Sequence, residues 1–211
     1  MNRITFLVDG FNLYHSVLDH QKITHQSANW LDIAALLKSY LYLFGKDAIL
    51  AELYYFSALP EYLKAQHPEK IFRHQTYIRC LESTGIKKEL GRFKEKEVYC
   101  ESCRKYIIKH EEKETDVAIA IKLFELFYLN QCDTAVIVSG DTDLAPAVRK
   151  CLTLFPDKKI YFAFPYKRFN KELDLLAPGS FAIKQNQYMK FLLPDPVLLP
   201  DGTEIHKPAT W

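Results

Sequence analysis

The stretch Thr134 to Asp143, TAVIVSGDTD, is the one whose reading decides the fold. Ala135 to Val138 is a short apolar run rich in β-branched residues, the pattern of a strand buried on both faces in a parallel sheet. Ser139 and Gly140 break the run, Asp141 and Asp143 follow, and Leu144 opens a helical pattern. Two carboxylates therefore stand at the carboxyl end of a buried strand, where open α/β sheets bind ligands. The start of the chain repeats the arrangement: Ile4 to Val8 is another buried-strand run, and Asp9, Gly10 and Asn12 follow it in VDGFNLYH. If the two strands share one parallel sheet, Asp9, Asp141 and Asp143 converge on one edge. Carboxylates crowded in that way must take up protons or bind a cation, and the cation is the reading adopted.

At 211 residues, 48% of them hydrophobic, the chain is long enough for one domain with extensions and a proper core. No apolar run approaches the ~20 residues that span a bilayer, and the N-terminus enters a strand at once without a secretory cleavage pattern. Five cysteines without framework-like spacing point to reduced thiols and a cytoplasmic location. The net charge of +2 carries no signal as a total, so its distribution matters more.

Strands alternate with helices throughout, which gives one doubly wound α/β domain. Phe11 to His20 reads as a helix and Gln21 to Asn29 as a polar loop. Trp30 to Phe44 has helical spacing, with Asn29 as a cap and Gly45 as the stop. Ile49 to Phe56 is a second strand. From Pro60 a helical pattern runs to about Ser83, with Pro68 placed to break or kink it. Its Arg73, His74, Gln75 and Arg79 read as a solvated face or as a basic face beside an anion-binding edge. Val117 to Leu129 is apolar on nearly every face and is expected to be buried. Tyr166, Lys167 and Arg168 follow a strand at Lys159 to Phe164 and are candidates to face the site. Val197 to Leu199, Ile205 and Trp211 argue that the proline-rich tail docks, since a disordered tail would be poorer in apolar residues.

Ile86 to Tyr99 reads as a strand of a hairpin or extended arm, in which Lys87, Lys88, Arg92, Lys94 and Lys96 alternate with apolar and aromatic residues. Such interleaving suits a nucleic-acid backbone and unstacked bases, with Arg92 and Lys94 as candidate contacts. An edge strand protected by lysines, diluted by Glu89, Glu95 and Glu97, is the competing reading. Cys100 and Cys103 form a CxxC pair with His110 downstream, a candidate zinc set one ligand short of the usual four unless Cys80 joins it. A pair of reduced thiols in a turn is the alternative.

Asp116 lies in the first turn of the helix that follows HEEKETD, and a helix leading into the next parallel strand begins near the edge where the acids lie. Helix-dipole stabilisation is sufficient to explain one aspartate there, but with the two strand ends it makes a fourth carboxylate at one edge. Asp9, Asp116, Asp141 and Asp143 offer oxygen only, which suits Mg²⁺ or Mn²⁺ and disfavours zinc. A cation so held fills its shell with water and substrate phosphate oxygens, and that chemistry is phosphoryl-ester cleavage. Asn12 and Ser139 would hold carboxylates, water or phosphate by neutral hydrogen bonds, and Lys113 would offset charge or touch phosphate; turn formation and solvation are their plainer roles.

VDGFNLYH, YYFSA, RHQTYIRCL, EEKETDVAIAIKL and VIVSGDTDLAP, in that order, resemble the NYN domain of the PIN-like nuclease superfamily, in a group with a CxxC arm and a closing tail such as PDPVLLPDGTEIHKPATW. The resemblance implies a PIN-like central parallel sheet over residues 1–193, with the arm at about 86–112 and a docked tail at 194–211. It places Asp9, Asn12, Asp116, Asp141 and Asp143 on the family's active-site positions and Ser139 on its small hydroxyl position. It implies a metal-dependent endoribonuclease with RNA preferred over DNA as the partner; that preference rests on the resemblance alone, since no residue here reads a 2′-hydroxyl on its own account. A homodimer is left open. Two other functions compete. A haloacid-dehalogenase-like phosphatase needs a second Asp two residues after the first, where this chain has Phe11. A nucleic-acid-binding or scaffold module with a weak or inactive metal site keeps the same carboxylates, and loss of cleavage on Asp141→Asn separates it from an enzyme.

Overall fold

The computed structural model describes residues 1–211. Its centre is a seven-stranded sheet in the order β4-β3-β2-β1-β5-β6-β7, with β1 at Asn2–Asp9, β2 at Ala48–Ala58, β3 at Lys87–Cys100, β4 at Lys105–Lys113, β5 at Thr134–Val138, β6 at Lys159–Phe164 and β7 at Phe181–Ala182. Every neighbouring pair is parallel except β3 and β4, which form an antiparallel hairpin. The mixed α/β architecture with a mostly parallel central sheet, expected from TAVIVSGDTD and VDGFNLYH, is the one observed.

Chain direction across the sheet reverses between β1 and β5. From β1 the chain proceeds to β2 and β3 on one side, and β5 leads to β6 and β7 on the other. Helices α1 (Gly10–Thr24), α2 (Ile33–Lys38) and α3 (Pro68–Ser83) cover one face; α4 (Thr115–Tyr128), α5 (Ala145–Leu154) and α6 (Lys171–Leu176) cover the other. Alternation within β1 feeds both layers: Ile4, Phe6 and Val8 join a core of 28 buried residues, and Leu7 joins a second core of 19. The tail packs on the first of these cores. Val197, Leu199 and Ile205 are buried there, Trp30 donates its indole N–H to the Pro194 carbonyl at 3.0 Å, and Trp211 meets the Trp30 and Tyr77 rings edge-on. No helix is long and apolar enough to cross a membrane.

Four local expectations are corrected. Helix α1 continues to Thr24, so the segment read as a loop from Gln21 is helical for its first four residues. The helix expected over Trp30 to Phe44 is only α2, because Asp32, and not Asn29, caps it through a 2.9 Å bond from the Ala35 N–H. A separate short 3₁₀ turn, Leu41–Phe44, then ends at Gly45 with φ 104°. The helix expected from Pro60 begins only at Pro68, which breaks the pattern, one of its two expected effects, and starts α3, since the first helical position needs no N–H. Helix α4 is buried on one face only: Ile119, Leu123, Leu126 and Phe127 are covered, while Val117, Ile121, Phe124 and Tyr128 face outward.

Candidate active site

The site forms where β1 and β5 end side by side. Strand β1 passes into α1 with no intervening loop, so Asp9 closes the strand and caps the helix, its Oδ1 accepting the Asn12 N–H at 2.9 Å. Gly10 makes this close passage possible, because a Cβ there would lie 2.5 Å from the Phe56 carbonyl oxygen. The second Asp9 oxygen accepts the Ser139 hydroxyl at 2.8 Å. That hydroxyl in turn accepts the Asp141 N–H at 3.1 Å, and the Asn12 side-chain oxygen accepts the Gly140 N–H at 3.2 Å. A side chain on Gly140 would collide with the Arg168 carbonyl, so the turns after β5 and β6 close against each other only with glycine there. Asp141 then caps its own turn, accepting the Asp143 N–H at 3.0 Å. Strand ends, caps and turns thus fix one another through a single network.

Asp9 is 4% exposed, and burial pushes its pKa up to about 7 against the pull of its two hydrogen bonds, with the charges of Asp116 and Glu112 adding to the rise. Asp116, in the first turn of α4, is also raised, by burial first and then by Asp141 and Asp143. It therefore feels the acids of both strand ends. Glu112 belongs to the same electrostatic group: it is half-buried on β4, raised by burial and by Asp116, and its Oε1 accepts the Thr115 hydroxyl. Sequence reasoning missed Glu112. The signal lay in HEEKETD, where the acid four residues before Asp116 sits near the end of the hairpin strand that delivers α4 to the edge.

Asp9, Asp116, Asp141, Asp143, Asn12 and Ser139 are thus all brought to one edge. The candidates from the arm are placed differently. Arg92 pairs with Glu114 at 2.6 Å and Lys113 with Glu111 at 3.0 Å, both near the surface, while Lys94 is exposed on β3. Arg168 turns to Asp19 of α1 at 2.7 Å and offers the acid edge only its backbone. The zinc set is not assembled. Cys100 pairs in register with Lys105 at the hairpin tip, whereas His110 pairs with Glu95, five residues and roughly 17 Å further down β4. The His110 ring instead stacks on Tyr62, and Cys80 is buried in the core under α3.

The matched family description is NYN domain, over residues 3–176. The chain belongs to the NYN domain family. Members are PIN-like nucleases, so the acid edge of this NYN chain lies in a nuclease fold. Among solved structures, that of a protein of unknown function from Vibrio parahaemolyticus is similar, with 18% identity and a TM-score of 0.54, covering 91% of this chain and 96% of that one. At that identity the likeness speaks for the fold alone. A search of curated proteins gives no match.

The donor chemistry at the edge fits a hard divalent cation, since every candidate ligand is a carboxylate oxygen and two of the acids are held at raised pKa by burial and by one another. No three of these groups close on a common point by themselves. A cation there would draw the rest of its shell from water and phosphate, as Mg²⁺ commonly does.

Proposed function

We propose that this protein is a metal-dependent endoribonuclease that hydrolyses RNA phosphodiester bonds at the acid edge. The observation that carries the reading is Asp9: a carboxylate desolvated at the point where the sheet reverses, pinned by Ser139 and Asn12, with further acids converging on it. Such a group is costly to ionise alone and is eased by a positive charge delivered with substrate. Asp9, Asp116, Asp141 and Asp143 would hold Mg²⁺ or Mn²⁺, and Glu112 would reinforce the field. Bound there, the ion supplies charge neutralisation on phosphate and lowers the pKa of a water.

The protein's own groups do the positioning. Two hydrogen bonds keep Asp9 from turning, the Asn12 amide fixes the Gly140 turn, and Ser139 links Asp9 to the Asp141 backbone. In the hydrolysis a water oxygen forms the new bond to phosphorus, the bond to the leaving ribose oxygen breaks, and that oxygen takes up a proton. Arg92, Lys94 and Lys113 would meet flanking phosphates, the first and last by exchanging a surface glutamate for the strand, a cheap exchange because exposed ion pairs are worth only ~0–1 kcal/mol. The preference for RNA comes from the family resemblance.

The test is cleavage of end-labelled single-stranded RNA, duplex RNA and single-stranded DNA, in EDTA, Mg²⁺ or Mn²⁺, by the wild type beside Asp9→Asn and Asp141→Asn. The expected result is metal-dependent cutting of RNA that both variants reduce by at least ~100-fold, a loss typical of removing one charge-stabilising group. Cutting that survives in both variants overturns the assignment of the site. Binding of RNA without any cutting favours a nucleic-acid-binding module instead.

A further inference from the structure

A cavity of about 500 Å³ opens directly beside the acid edge. Gly10 and Phe11, which follow Asp9, and Glu112, which raises the Asp9 pKa, belong to its wall. Its size falls within the range of small-molecule sites. Part of the lining is an aromatic cluster: Tyr62 lies on His110 with centroids 3.6 Å apart and planes 8° apart, and Phe93 meets Tyr62 edge-on at 5.3 Å. Tyr77 and Trp211, which meet edge-on, also belong to the lining. Along α3, Lys70, Arg73 and His74 recur at helical spacing and line one wall, so two cations border a mostly hydrophobic lining rich in aromatic rings.

Its polar groups are few and specific. The Ser57 hydroxyl and His74 Nε2 lie 3.3 Å apart, and burial lowers the His74 pKa, which keeps the ring neutral near pH 7 and able to donate or accept. Asn29 also lines the cavity, and its buried Oδ1 has no hydrogen-bond partner in the protein.

An aromatic-rich lining, bordering cations, a small set of polar groups and continuity with the acid edge together describe one ligand. We propose that the cavity receives one unstacked base of single-stranded RNA, with Lys70 and Arg73 on the adjoining phosphate, and so sets the register of the strand on the acid edge. This rests on the nuclease reading above. A base inside a duplex is already paired and stacked, so the cavity selects single strands.

The test measures binding in EDTA, where no cutting occurs, of a mixed-sequence RNA hexamer and of the same hexamer with every base removed. Wild type, Tyr62→Ala, Tyr62→Leu and Arg73→Ala are compared, and thermal melts check that each is folded. The wild type is expected to bind the hexamer about tenfold more tightly than the baseless strand, the size of one stacked base. Both Tyr62 variants should lose that ratio, and Arg73→Ala should weaken both ligands alike. A wild-type ratio near one overturns the proposal, as does a ratio unchanged in both Tyr62 variants. Competition by mixed nucleoside monophosphates at the hexamer's own affinity also overturns it, in favour of a free-nucleotide site. Cleavage of the same hexamer with Mn²⁺ separates the two readings: cutting with a ratio near one sinks the cavity alone, and a full ratio without cutting sinks the nuclease alone.

Discussion

Asp9 carries two duties whose energetics oppose each other. As a helix cap it is favourable, yet as a buried carboxylate beside Asp116 and Glu112 it titrates at about 7 in the folded protein, against an ordinary value near 4. A folded-state pKa raised in this way gives stability that is complete below pH ~4 and is lost as the pH climbs through about 7. Asparagine keeps the cap and carries no charge. Asp9→Asn is therefore expected to be more stable than the wild type at pH 8 in EDTA, by on the order of 2 kcal/mol or ~4–8 °C in Tm, with the difference closing at pH 4. Melts across pH 4–8 read this directly, and parallel curves for the two proteins would refute the assigned burial. Addition of Mg²⁺ at pH 8 should stabilise the wild type more than the variant, since only the wild type retains all four proposed ligands.

At the scale of elements, helix α4 shows how far local pattern reaches. Its apolar residues are nearly continuous from Val117 to Leu129, so sequence indicates a helix but cannot say which side is covered. Packing decides that: Leu123 is 1% exposed between sheet and helices, and Ile121 is 61% exposed. Leu123→Ala is expected to cost ~2–5 kcal/mol, and Ile121→Ala no more than ~1, as chemical denaturation would measure. The strands were legible for the opposite reason. Ile4 to Val8 and Ala135 to Val138 are buried on both faces, and that leaves an unbroken signature. The acids at their ends followed from the strands. Glu112 did not, because its place depends on how the β3–β4 hairpin is registered, and neither did the separation of His110 from the cysteines. The starts of α2 and α3 were misread because Asp32 and Pro68 act at helix starts that only tertiary context fixes.

For the molecule as a whole, the sheet order places its parts in a hierarchy. The proposed chemistry sits on β1 and β5, the two strands at the reversal, whereas His110 and Phe93 of the cavity stand on a hairpin at the sheet's margin whose side chains are largely exposed. The cavity wall is also built from segments far apart in the chain, α1, α3, the hairpin and Trp211, which explains why no stretch of sequence announces it. The position of Asp9 and Ser139 at the ends of the innermost strands bears on which parts of the protein open first. Amides of Phe6 to Val8 and Val136 to Val138 should exchange with deuterium only through global unfolding, while those from Lys94 to Ile108 exchange by local opening, orders of magnitude faster. On warming, the protein would then lose its hold on the strand before it loses the geometry that cuts it.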